Sequence, residues 1–110
     1  MNYSRNRNNS NFNQSGGAKE QITITLYKAD WCGHCKRFFP EWEKLQKVAE
    51  TIENLSVVTR DDKNDAAEIA KLKAKGLFKG FPTIIVSRGT EEEYDGPRTA
   101  ADILGKLGFQ

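Results

Sequence analysis

A strand-like run and an amphipathic helical stretch meet at Trp31-Cys32-Gly33-His34-Cys35, and that junction limits what the chain can become more than any other part of it. Its two cysteines are the only ones in 110 residues. Three positions apart at a helix start, they can close a disulfide within one turn, and unpaired N–H groups at the helix end can activate the first of them. A loop so short would constrain little unfolded chain, so the pair reads as a reversible redox dithiol rather than a structural staple.

The surrounding pattern alternates between strand and helix. Ile22-Thr23-Ile24-Thr25-Leu26-Tyr27 has period two and is rich in β-branched residues, which predicts a strand ending just before the motif. After Cys35, the residues Phe38, Trp42, Leu45, Ala49 and Ile52 recur at helical spacing, with Phe39 and Val48 widening the apolar face and Pro40 inside. Leu55 to Thr59 predicts a second strand. Asp65-Ala66-Ala67-Glu68 reads as a capped helix start, with Ile69 and Leu72 inward and Gly76 as the stop. Thr83 to Ser87 is a third strand, Arg88-Gly89-Thr90 a turn, and Glu91 to Tyr94 a charged strand suited to a sheet edge. Thr99-Ala100-Ala101-Asp102 resembles a capping box opening a last helix, with Ile103, Leu104 and Leu107 inward.

Composition sets the outer limits. With 37% hydrophobic and 10% aromatic residues, the chain can build one modest core. Its 17 basic and 15 acidic side chains are interspersed, so nothing points to nucleic acid. No apolar run approaches the ~20 residues of a membrane span, and none is expected to cross a bilayer. Met1 to Ala18 is Asn-rich, with Tyr3 and Phe12 as its only large apolar groups, so residues 1–20 read as a flexible tail and 21–110 as the folded domain. Neither a secretory signal nor a retention tetrapeptide is visible, the chain ending Gly108-Phe109-Gln110, so the expectation is a cytoplasmic or virion-packaged protein rather than a secreted one.

The order β-α-β-α-β-β-α, with Cys32-Gly33-His34-Cys35 at the first strand-to-helix junction and Phe81-Pro82-Thr83 opening the third strand, resembles the thioredoxin superfamily. More narrowly, Trp31-Cys32-Gly33-His34-Cys35-Lys36 is similar to the active site of protein disulfide isomerase catalytic domains, where thioredoxin proper has proline at position 34. Pro40, Gly80, Arg88 six residues after Pro82, and Tyr94-x-Gly96-x-Arg98 add to the resemblance, which covers about residues 21–107. It implies an α/β, thioredoxin-like fold: a four-stranded mixed sheet flanked by helices, reduced to the minimal core and closer in extent to glutaredoxins.

The residues themselves assign the chemistry. Cys32, at the helix N-terminus, is the nucleophile, and Cys35, one turn along and expected to be deeper, is the resolving thiol. His34 beside them favours the reduced form's thiolate and makes the disulfide more oxidising, unless it is simply a solvated loop histidine. The reduction potentials of a thioredoxin and a protein disulfide isomerase differ by about 90 mV, roughly 4 kcal/mol for two electrons, enough to change the net direction. Trp31 and Gly33, with Phe81 and Pro82 opposite, form the expected substrate-binding face, Trp31 offering a flat apolar surface and Trp42 serving packing. The resemblance implies a cis peptide at Pro82, whose missing N–H leaves the Phe81 backbone free for an extended substrate; the plainer reading is a strand-entry proline. It also implies that Arg88 approaches Cys35 and lowers its pKa, against the plainer reading of a surface turn arginine. One departure is Leu26, where the family has a buried acid that accepts the resolving cysteine's proton; Asp30 or solvent is left to substitute.

Three functions follow. The first is a monomeric thiol–disulfide oxidoreductase acting on protein thiols and disulfides, needing no cofactor and no metal. The second is a thioredoxin-like reductant supplied by a thioredoxin reductase. The third is a glutathione- or iron–sulfur-binding module, for which Cys32, Cys35 and His34 are too few and too close within one chain.

Overall fold

The computed structural model describes residues 20–109, so the expected tail lies almost wholly outside the described residues. Seven elements follow one another: β1 (Ile22–Lys28), α1 (Gly33–Ala49), β2 (Leu55–Asp61), α2 (Ala66–Ala74), β3 (Thr83–Arg88), β4 (Thr90–Tyr94) and α3 (Ala100–Lys106). They form one sheet in the order β2-β1-β3-β4, with β1 and β2 parallel and the other two pairings antiparallel. The fold class and element order expected from the sequence are those observed.

Period two in the strands divides the core between the two faces of the sheet. Ile22, Ile24 and Leu26 of β1, with Ile84 and Val86 of β3, pack against Phe38, Trp42 and Leu45 of α1 and Ile103 of α3. The register sets Ile24 opposite Val86 and Leu26 opposite Ile84, so this apolar face is continuous across the central strands. On the other face, Tyr27 and Ile85 meet Ile69 and Leu72 of α2 and Phe78 of the following loop. Trp42 is fully buried, and its indole N–H is satisfied by the Thr59 hydroxyl at 2.9 Å. Val48 does not widen the buried face as expected: it is left exposed on α1. Leu104 is only partly buried against the core.

Helix ends follow local chemistry with one exception. Gly76 has φ +76°, and the Gly76 and Leu77 N–H groups bond back to the Lys73 and Leu72 carbonyls, closing α2. Thr99 caps α3 by accepting the Asp102 N–H at 3.1 Å, while Glu41 of α1 accepts the Ala100 N–H at 2.9 Å. Asp65 precedes α2 but does not cap it through its side chain. Its carboxylate instead accepts the Asp61 N–H at 3.0 Å, so the end of β2 takes the group the helix would have used. Gly89, at φ +88°, makes the tight return from β3 to the edge strand β4.

Candidate active site

β1 ends at Lys28, and within five residues the chain reaches the first turn of α1. Cys32 is the N-cap of α1, in extended backbone at φ −89° and ψ 112°, and its sulfur accepts the Cys35 N–H at 3.2 Å. A residue at the N-cap normally supplies an oxygen to these orphan N–H groups; here the acceptor is the reacting atom. Both cysteines are free thiols, and they pack with Ala29 and the ring of Phe81.

Both thiols are hidden, Cys35 at 3% exposure and Cys32 at 5%, and burial is the largest influence on Cys35, the deeper thiol expected from the sequence. Hydrogen bonding sends their ionisation in opposite directions. Burial works against ionising Cys32, but the Cys35 thiol, the backbone N–H groups of Cys35 and His34, and the positive charge of Arg98 together bring it below its ordinary value. Burial and its donation to the Cys32 sulfur push Cys35 up to about 11, only partly countered by the Ala29 N–H and the charge of Lys28. Cys32 is thus the thiol that ionises readily.

The loop before β3 faces the motif. The Phe81–Pro82 peptide is cis, and the Phe81 carbonyl accepts from the Cys32 thiol at 3.5 Å. The buried Thr83 hydroxyl donates to the Gly80 carbonyl and pins this loop from its far end. Trp31 is 69% exposed, stacks edge-on against Phe81 at 5.5 Å, and donates its indole N–H to Asp62 at 3.1 Å. Phe81 in turn meets Phe78 edge-on at 5.0 Å, so an aromatic series runs from the open surface into the core under α2. The site thus offers a flat apolar rim beside the nucleophile. His34 is exposed, and its Nδ1 accepts from Arg37 at 2.6 Å, which leaves any proton of a neutral ring on Nε2. A side chain at Gly33 would come within 3.6 Å of Arg37.

The structure brings together Cys32, Cys35, His34, Trp31, Gly33, Phe81 and Pro82, but not Arg88. Thr83, at the site end of β3, pairs with Tyr27, whereas Arg88 pairs with Thr90 at the opposite end. Five residues of strand at ~3.3 Å each carry it roughly 17 Å away. Arg88 instead lines a cleft of about 400 Å³ between β4 and α3, with Tyr94, Asp102 and Leu107 among its neighbours. The arginine whose charge reaches the site is Arg98, which shares a second cleft with Pro82. Its sequence signal was Tyr94-x-Gly96-x-Arg98, where β4 has brought the chain back. Asp62 and Lys28 carried no such signal. Leu26 is fully buried in the apolar core, so no carboxylate lies at its position. Among the described residues, no group of three or more His, Cys, Asp or Glu side chains is arranged to hold a metal ion, and no helix is long and apolar enough to cross a membrane.

The family model described as Thioredoxin matches residues 4–108, beginning inside the Asn-rich segment. Protein disulfide-isomerase A4 of Mus musculus is 37% identical over 101 residues, covering 91% of this chain and 15% of that protein. The protein disulfide-isomerase of Medicago sativa is 36% identical over 102 residues, covering 90% of this chain and 20% of its own length. The chain therefore spans a fifth or less of these relatives. Among solved structures, the first thioredoxin domain of mouse protein disulfide-isomerase A4 superposes with a TM-score of 0.67 at 30% identity, over 79% of this chain and 61% of that one. Fasciola hepatica thioredoxin superposes at 0.60 with 20% identity, over 81% and 80%, a likeness of fold alone.

Proposed function

The chain belongs to the thioredoxin family, and from that premise we propose that it is a thiol–disulfide oxidoreductase of the protein disulfide isomerase type, working on protein thiols and disulfides through Cys32 and Cys35. One observation carries the reading: the Cys32 sulfur is itself the N-cap acceptor of α1, hydrogen-bonded by Cys35 at 3.2 Å and facing the cis Phe81–Pro82 loop. As a thiolate, Cys32 attacks one sulfur of a substrate disulfide. The substrate S–S bond breaks, one substrate thiolate leaves with the electron pair and takes a proton from solvent, and a mixed disulfide remains. Cys35 then loses its proton and attacks Cys32, releasing the second substrate thiolate and leaving Cys32–Cys35 oxidised. Run backwards, the same steps insert a disulfide.

Trp31, Gly33, Phe81 and Pro82 receive the substrate, with the Trp31 rim supplying apolar contact, and His34 favours the reduced form. Residues 21–110 are the working domain, and a monomer suffices because every group named comes from one chain. Glutathione is the exchange partner that suits an isomerase; a thioredoxin reductase would suit a reductant. The test is insulin reduction and scrambled-ribonuclease refolding with wild type, Cys32→Ser and Cys35→Ser, together with the reduction potential against glutathione. Activity surviving in Cys32→Ser overturns the mechanism, and a potential near the thioredoxin value of about −270 mV overturns the isomerase assignment in favour of the reductant.

A further inference from the structure

Cys35 must give up its proton to resolve the mixed disulfide, and with Leu26 filling the core no buried acid is present at that position to receive it. The corner behind Cys35 is nevertheless charged. A cavity of about 290 Å³ is lined by Lys28, Ala29, Asp30, Cys35, Lys36 and Phe39. Lys28 is the last residue of β1 and falls, by period two, on the same face as Leu26. Its ammonium donates to the Asp30 carboxylate at 2.9 Å, with the Lys28 side chain 25% exposed and Asp30 facing solvent at 73%. Asp61, opposite Lys28 in the β1–β2 register, Lys63, whose charge acts on Asp30, Lys36 on the first turn of α1 and the Cys32 thiol are the other charged or titratable groups around this corner.

We propose that Lys28 is the electrostatic partner of the Cys35 thiolate in the resolving step. The inference rests on the exchange reaction proposed above. Lys28 and Cys35 each favour the other's charged form. Asp30 is the obvious competitor for the role of base, and the chemistry is against it. Hydrogen bonding from Lys28 holds its carboxyl below the ordinary 3.8, a poor acceptor for a proton whose donor titrates near 11. In the step itself, the Cys35 proton passes to solvent or hydroxide in the cavity as the thiolate forms beside the Lys28 ammonium. The thiolate's electron pair then makes the Cys32–Cys35 bond, and the substrate sulfur leaves with the pair from the broken Cys32–substrate bond. Lys28 keeps its proton throughout.

The effect on rate follows from two opposed dependences. Each unit by which Cys35 rises cuts its thiolate tenfold, while the remaining thiolate becomes more nucleophilic by a factor set by a Brønsted coefficient of about 0.45, a net loss of about threefold to fourfold. The experiment uses the full chain, reduced, mixed with a disulfide-linked peptide dimer. Release of the first peptide thiol reports attack by Cys32, and release of the second reports resolution by Cys35. Lys28→Gln is expected to leave the first phase unchanged, slow the second by up to about threefold, and displace its pH profile upward. Lys28→Arg is expected to restore it, and Asp30→Asn is expected not to slow it, since removing a negative charge favours the thiolate. A second phase in Lys28→Gln with wild-type rate and pH profile overturns the proposal, as does Asp30→Asn slowing that phase as Lys28→Gln does, which would make Asp30 the base. Loss of the first phase in Cys35→Ser would instead strike at the exchange reaction itself.

Discussion

Cys32 and Cys35 lie one helical turn apart with nearly equal exposure, yet their thiols titrate in opposite directions. Burial raises both and is the largest influence on Cys35, so it adds to the gap but does not explain the opposite signs. The difference lies in where each sulfur sits on α1. Cys32, at the N-cap, collects N–H groups that the first turn of the helix leaves without partners. Cys35 lies inside that turn, spends its own N–H and its thiol proton on Cys32, and is left with the Ala29 N–H and the charge of Lys28. One helix end thus makes an attacking thiol and a waiting thiol from identical residues, through the direction of the hydrogen bonds between them.

The largest test of that asymmetry removes each sulfur in turn. Cys32→Ser is expected to lower peptide-disulfide exchange by more than about 10³-fold, since the hydroxyl does not ionise near neutrality and no other thiol is activated. Cys35→Ser is expected to leave the first attack in place and to accumulate the mixed disulfide, visible as a mass increase of one substrate half. If both variants trapped equal amounts of mixed disulfide, the division of roles would be broken.

A second test reads the same asymmetry as stability. The Cys35 pKa is raised on folding from about 9 to about 11, so the folded reduced protein holds a proton there that the unfolded chain releases between these values. The stabilisation is fully present below pH 9 and is lost as pH climbs through 11. Two units correspond to about 2 to 3 kcal/mol. Urea titrations of the reduced protein at pH 8 and pH 11 measure the loss, and Cys35→Ser should flatten it. Cys32 contributes with the opposite sign: its lowered pKa adds stability above its unfolded value, which is lost as pH falls through its folded one.

The contrast between the two cysteines also marks what the amino-acid sequence could and could not convey. Strand periodicity, the amphipathic repeat of α1 and the glycine after α2 are local signals, and each produced the element expected of it. The N-cap position of Cys32 is local too, so the nucleophile was legible. The side chains that surround the two thiols were not. Lys28 extends β1 one residue beyond the apolar alternation because Asp61 pairs with it across the sheet, and nothing near it in sequence says that Cys35 will lie alongside. Asp65 reads as a cap by residue type, but the β2 backbone competes for it and wins. The Trp31–Asp62 bond joins residues 31 apart and leaves no trace in either neighbourhood.

The smallest and most discriminating effect concerns the two arginines. The family resemblance points to Arg88, six residues after Pro82, but a strand carries its residues steadily away from its start. The tight return at Gly89 reverses that direction, and β4 brings the chain back, so the later residue, Arg98, ends nearer to Pro82. Arg98 is exposed, so its charge is screened by water and salt, and its influence on Cys32 ranks below that of the hydrogen bonds. Arg98→Gln is therefore expected to slow iodoacetamide alkylation of Cys32 at pH 7 by only about twofold at low salt, with the difference shrinking as salt is added. Arg88→Gln should leave that rate unchanged at every salt concentration. The reverse result would place the charge felt by Cys32 on β3 and undo the assignment, whereas equal silence from both would leave the nucleophile activated by the α1 backbone and Cys35 alone.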